Sequence, residues 1–182
     1  MFKKALIAAS ISMTATPALA TEVDEQKRFS VGISSFATAT SIDTYYGSED
    51  ENFSGFALFG TAAVNDNFAF RLTYANQSHE DDSNLDLTAI EGSVIAGTGL
   101  ATTGFKAYGS LGFFNETLEY SGYSEEFDFN GLMLGGGIGY NWNPVSLELW
   151  INFRDAGDYE DFVGGDADAT AASGGIGLSA RF

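Results

Sequence analysis

The segment VSLELWINFR, Val145–Arg154, alternates without a break. Val145, Leu147, Leu149, Ile151 and Phe153 occupy one face, and Ser146, Glu148, Trp150, Asn152 and Arg154 the other. Strict period-two alternation is the mark of a β-strand whose two faces meet different surroundings. The first face is wholly apolar, and the second carries two opposite charges and three uncharged residues able to hydrogen-bond. The fold depends on what lies against each face.

Other stretches repeat the pattern. Phe68, Phe70, Leu72 and Tyr74 oppose Ala69, Arg71, Thr73 and Ala75, while Phe105, Ala107, Leu111 and Phe113 oppose Lys106, Tyr108, Ser110 and Gly112. Leu132, Leu134, Ile138 and Tyr140 alternate with Met133, Gly135, Gly137 and Gly139, so bulk faces one way and almost no side chain faces the other. Glycine weakens a strand and calls for a reason. A narrow closed barrel supplies one, because its interior has room for few large side chains.

Between these segments, four long acidic stretches, SIDTYYGSEDEN, SHEDDSN, NETLEYSGYSEEFD and DAGDYEDFVGGDADAT, take turns with three short turn signals, VNDN, AGTG and NWNP. Their strict alternation predicts eight antiparallel strands near 28–38, 53–64, 68–77, 85–96, 102–114, 129–141, 145–154 and 172–182. At about ten residues each, tilted strands match the hydrocarbon thickness of a bilayer. Two segments read less cleanly. In LDLTAIEGSVIA the apolar phase shifts between Ala89 and Ile90, which predicts a β-bulge that turns Glu91 and Ser93 inward. In GFALFGTAAV both phases are apolar and neither face is favoured.

The N-terminus reads MFKK, ALIAASISM, TPALA: a basic start, a short apolar run and a small-residue close. These are the parts of a secretory signal peptide over residues 1–20, leaving residues 21–182 as a single domain. The apolar run is too short to span a bilayer as a helix, for which roughly 20 residues are needed. There is no cysteine, and with one histidine a structural metal is not expected. Loss of Lys3 and Lys4 with the leader leaves six Lys and Arg against 25 Asp and Glu, which excludes nucleic acid as a partner.

A soluble sandwich would also hide one apolar face per strand, but its other face would carry several charges per strand. Here those second faces are Gly, Ala, Ser and Thr with one or two charges, and the acids sit between strands. A membrane barrel accounts for that partition. The expected fold is therefore all-β, an eight-stranded antiparallel transmembrane up-and-down β-barrel with four long acidic extracellular loops and three short periplasmic turns. Aromatic residues suit both interfaces, with Phe68, Tyr140, Trp142 and Phe182 at the short-turn side and Tyr74, Phe113 and Phe153 at the other.

Over its whole mature length the chain resembles the small eight-stranded outer-membrane barrels of Gram-negative bacteria. The most specific element is the terminal IGLSARF, which is similar to the family's C-terminal recognition signal, with Phe182 last and Ile176, Leu178 and Ala180 alternating upstream. Ala180 departs from the aromatic residue that members often carry there. The resemblance implies insertion by the outer-membrane barrel assembly machinery, an outer-membrane location with both termini periplasmic, and surrounding lipid and lipopolysaccharide.

Fold alone leaves three functional classes: a non-enzymatic scaffold for acidic loops, serving envelope integrity, adhesion or binding; a narrow porin-like channel; and an outer-membrane lipid hydrolase. For the last, His79 lies near Ser78, Ser83, Glu80 and Asp82, but its spacing to Ser83 differs from the His-x-Ser motif of lipid A deacylase barrels. No catalytic, cofactor or dedicated metal residue is expected. The acidic stretches lack the twelve-residue calcium-loop spacing, so any divalent cations there are diffuse. The scaffold reading rests on the inward set Arg71, Lys106, Tyr108, Glu148, Trp150, Asn152 and Arg154. In a narrow lumen these charges must pair, and Glu148 is expected to hold a basic residue, Arg71 or Arg154 foremost. A filled lumen predicts little conduction, and a monomer is expected.

Overall fold

Eight strands form, each meeting its sequence neighbours, and β8 returns to β1 to close the sheet. They are β1 (Phe29–Thr44), β2 (Gly47–Ala63), β3 (Phe68–His79), β4 (Leu85–Thr98), β5 (Gly104–Tyr120), β6 (Glu126–Asn141), β7 (Val145–Arg154) and β8 (Asp168–Arg181). One short helix, α1 (Gly157–Val163), lies between β7 and β8. The computed structural model describes residues 26–44, 47–82, 84–120, 126–163 and 168–182. The signal peptide expected over 1–20 lies outside the described residues.

Closure removes both sheet edges, since β1 pairs antiparallel with β8 from Ser30↔Arg181 to Asp43↔Asp168. Outside, apolar side chains point away from the barrel, as shown by Phe56, 77% exposed, and Leu134, 65% exposed. Inside lie the buried polar and charged groups together with a small aromatic core of Phe36, Phe59 and Trp150. This is the inverse of a water-soluble domain, and it fits a barrel whose solvent is hydrocarbon.

One lumen-facing row shows how so narrow a barrel is filled. Followed from strand to strand it reads Gly97, Tyr108, Gly137, Trp150, Gly175, Phe36, Gly55, Gln77 and back to β4 at Leu87. Large side chains alternate with glycine from β4 round to β3, where Gln77 meets Leu87, so each ring lies over a neighbour that has no side chain. At Gly137 an added Cβ would come within 2.5 Å of the Tyr108 hydroxyl. At Gly177 it would press on Phe59 at 2.6 Å and on Trp150 at 3.0 Å. The row leaves β4 at residue 97 and returns at 87, a stagger of ten residues, which is the shear that tilts the strands.

The strands differ from expectation in three places. First, β4 has no bulge: its register is continuous against both β3 and β5. Glu91 and Ser93 do face inward, but so do Leu87 and Ile95, because the lumen takes apolar side chains as well as polar ones. In β2 the lumen face is Phe53, Ala57, Phe59 and Ala63. Second, the strands run well into the stretches expected to be loops, with β1 and β2 reaching Thr44 and Gly47, and β5 and β6 reaching Tyr120 and Glu126. Backbone pairing does not depend on apolar side chains. On the outer face just beyond the apolar belt, directly paired residues also hydrogen-bond: Ser41 Oγ to Asp50 (2.6 Å), Ser78 Oγ to Asp86 (2.8 Å) and Thr117 Oγ1 to Asp128 (2.7 Å). Third, the fourth acidic stretch contains α1, in which Tyr159 is buried.

Candidate functional site: the filled lumen

Alternation aims every second side chain of β3, β5 and β7 at the barrel axis, and three groups of polar residues meet there. In the first, Glu148 on β7 receives two cations, Arg71 Nη2 at 2.6 Å and Lys106 Nζ at 2.7 Å. Tyr108 ties them together: its hydroxyl accepts from Arg71 Nη1 at 2.8 Å and donates to Glu148 at 3.4 Å. Arg71 Nε donates to Thr61, and Lys106 Nζ donates to Ser146. The Arg71 guanidinium also lies 5.2–5.4 Å from the ring centres of Phe59, Tyr108 and Trp150, so aromatic faces supply part of the solvation that water would have given.

The second group is nearer the long-loop end. Arg154 binds Glu91 through Nη2 at 2.7 Å and Glu116 through Nη1, and its guanidinium stacks over Phe114 at 4.6 Å. Glu91 also accepts from Ser173 Oγ at 2.5 Å and from Asn152 Nδ2 at 3.1 Å. Tyr159 of α1 donates its hydroxyl to Glu116 and stacks between Phe114 and Phe129, with centroid distances of 6.4 and 4.7 Å. Burial, and after it the adjoining Glu116 charge, push the Tyr159 phenol well above its ordinary value. The helix is pinned on two further sides: Asp158 accepts from the Asn130 backbone N–H, and Glu160 accepts from that of Ala169.

Of the two basic residues expected foremost for Glu148, it is Arg71 that binds and not Arg154. Glu148 and Arg154 stand on β7 six residues apart, about 20 Å along a strand, and Arg154 finds its partners on β4 and β5 instead. Arg71, Lys106, Tyr108 and Glu148 share one group, while Arg154 belongs to the other. Sequence reasoning missed Glu116, which was assigned to a loop, as well as Tyr159.

The third group closes the short-turn end. Residues 99–103 fold inward, leaving Ala101 without exposed surface and packing Leu100 against Ala63, Ala69 and Ile95. Asp66 holds this turn by accepting from the backbone N–H of Gly99, Ala101 and Thr102 and from Thr102 Oγ1 (2.8–3.1 Å). Burial alone would raise the Asp66 carboxyl, but those hydrogen bonds more than reverse it and hold it below the ordinary carboxylate value. From the other side, Arg181 donates to the carbonyls of Trp142, Ala101 and Thr102, and Asn141 to those of Gly99 and Thr102. A signal for this group was present, since Asp66 is the one acid within the three short-turn stretches.

Between the three groups, the cavities bordered by Arg71 have volumes of about 20 and 10 Å³. That is room for a single water at most in each.

His79 faces the lumen rim. Its Nε2 lies 2.7 Å from Glu51, out of line for a hydrogen bond, and its Nδ1 accepts from the backbone N–H of Asp81 and Asp82. Ser78 is on the opposite face of β3, bound to Asp86, and Ser83 lies outside the described residues. At the C-terminus, Ile176, Leu178, Ala180 and Phe182 all face outward, with Phe182 stacked on Phe29 at 6.4 Å.

Solved barrels share this architecture. Neisserial surface protein A is 15% identical, with 85% of this chain and 97% of that chain covered and a TM-score of 0.56. Ail, the attachment invasion locus protein of Yersinia pestis, solved with the heparin analogue sucrose octasulfate, is 19% identical, covering 85% and 99% at a TM-score of 0.51. OprG of Pseudomonas aeruginosa is 14% identical, covering 87% and 98% at 0.50. These likenesses speak to the fold alone. No curated protein matches the chain. The model of the outer membrane protein beta-barrel domain matches residues 6–182, and the chain belongs to that family.

Proposed function

We propose that this barrel is a non-enzymatic scaffold of the Gram-negative outer membrane, one that holds an acidic rim at the cell surface and does not conduct through its lumen. The supporting observation is the interior, where two ion-paired groups and an inward-folded turn fill the lumen and the cavities beside Arg71 measure about 20 and 10 Å³. The termini lie on the periplasmic side in this reading, with the short turns, and the long-loop end faces outward. Ile176, Leu178, Ala180 and Phe182 present the assembly machinery with its signal. The lipid neighbours are phospholipid and lipopolysaccharide, the acidic rim gathers divalent cations diffusely, and the barrel works as a monomer. With six Lys and Arg against 25 Asp and Glu once the leader is removed, the surface is unsuited to a polyanion such as the heparin analogue bound by Ail. Hydrolysis at His79 finds little support in a ring already engaged at Nδ1 and a Ser78 turned the other way.

Planar bilayer recording tests the proposal. Wild-type protein should hold the baseline, whereas Glu148→Ala, which strips the counter-charge from Arg71 and Lys106, should give frequent leak events. Steady conductance from the wild type, unaltered by the substitution, would make the barrel a channel.

A further inference from the structure

The short-turn mouth of the barrel gathers nearly all of the chain's cations. Lys27, Arg28, Arg71, Lys106 and Arg181, five of the six Lys and Arg that follow the leader, line one cavity of about 20 Å³. Among the described residues no carboxylate lines it. Arg71 and Lys106 share Glu148, one negative charge for two positive ones. Asp66, the acid of the neighbouring turn, is already engaged by backbone N–H groups. Every other described acid outside the lumen stands at the opposite rim, across an apolar belt about 25 Å tall and beyond a Debye length of about 8 Å. The negative charge of the whole molecule therefore does not keep an anion from this mouth.

The two cations at the opening have only neutral acceptors. Half-buried Lys27 donates from Nζ to the Arg181 carbonyl at 3.3 Å, and exposed Arg28 donates to Gln26 Oε1 at 3.2 Å. Both bonds are long. Deeper in, the hydroxyls of Thr61 and Ser146 accept from Arg71 and Lys106, so each keeps its own proton to donate. Asn141 Oδ1 is an acceptor without a partner in the same wall, but one amide dipole is outweighed by the full charges around it. A wall of cations and hydroxyl donors in a space of low dielectric favours a counter-ion. Its volume admits one monatomic guest in place of a water and is too small for phosphate, sulfate or an organic carboxylate.

We infer that this cavity binds one chloride ion, held by Lys27 and Arg28 at the opening and by the Lys106 ammonium deeper in. The inference stands apart from conduction through the lumen, which bilayer recording decides. To test it, the protein in non-ionic detergent is unfolded with urea in mixtures of sodium chloride and sodium gluconate at constant ionic strength, followed by tryptophan fluorescence. Gluconate is too large for the cavity and serves as the blank. For wild type, the unfolding constant at fixed urea should fall about tenfold for each tenfold rise in chloride once the site fills, as release of one ion on unfolding requires. Lys27→Gln combined with Arg28→Gln, both outside the eight strands, should flatten that dependence while the folded band on unheated gels persists; Arg28→Gln alone serves if the pair folds poorly. Crystals of wild type grown in sodium bromide should show one anomalous peak inside the cavity. Unfolding of wild type that ignores chloride would mean that the chain balances these cations itself, with Glu22, Asp24 and Glu25 next in sequence, and would overturn the assignment. So would an undiminished chloride dependence in the folded variant, or a cavity without bromide.

Discussion

Glu148 balances two cations in a space closed to bulk water, so its loss is felt beyond the contacts it makes. Removing one member of a buried ionic group leaves its partners uncompensated, at a cost of about 3–5 kcal/mol. Glu148→Ala should therefore unfold at markedly lower urea concentration than wild type, measured by tryptophan fluorescence in detergent or bilayer. Asp66 acts by a different route. Its folded carboxyl is depressed, so its contribution to stability is present above the ordinary Asp range and is lost as pH falls through the folded value. The stability gap between wild type and Asp66→Asn should hold steady from neutral pH down to about 4 and close below that. Residues of the first lumen group were legible in the sequence because Arg71, Lys106 and Glu148 stand on regularly alternating strand faces that carry only one or two charges each. Glu116 was not, since NETLEYSGYSEEFD is acidic and aromatic throughout and offers no contrast to mark one acid as buried.

Among the elements, the strands were legible where one face meets hydrocarbon and lost their outline where both meet water. Alternation located the belt of each strand, whereas the extensions of β1, β2, β5 and β6 beyond it rest on ladder bonds and on Ser or Thr to Asp pairs that have no apolar signature. The supposed bulge in β4 came from the same cause: a lumen that accepts Leu87 and Ile95 makes both phases look apolar. Helix α1 is too short to show a periodicity, and it is held by Tyr159 and not by helix propensity. Each of its two ring stacks contributes about 0.5–1.5 kcal/mol. Tyr159→Ala should thus raise the open population of α1 roughly tenfold, seen as faster limited proteolysis within 157–163, while the eight strands stay protected.

For the molecule as a whole, closure of β1 on β8 predicts a folded form that stays compact in SDS until heated, because no free edge exposes backbone groups to the detergent. Unheated and boiled samples should run as two bands, and a single band under both conditions would argue against the closed barrel. Eight strands, their order and the membrane-facing sides of most were readable from alternation and turn spacing alone. The two ends of the lumen were not. Residues 99–103 and α1 are drawn inward by partners distant in the chain, Gly99 by Asp66 33 residues away and Tyr159 by Glu116 43 residues away, and no local pattern carries that information.

The row that alternates glycine with Tyr108, Trp150, Phe36 and Gln77 takes something from every strand, and Phe36 meets Gly175 across the seam between first and last. No run of neighbouring strands, however well paired, possesses a finished interior; Trp150 and Phe36 are covered only after the circle is complete. Folding is therefore cooperative over the full circumference, and the half-built sheet offers the chain no resting point. A lesion at one glycine spreads to strands that never touch it. Two fragments cut at a long loop should be shapeless apart and regain the barrel only when mixed.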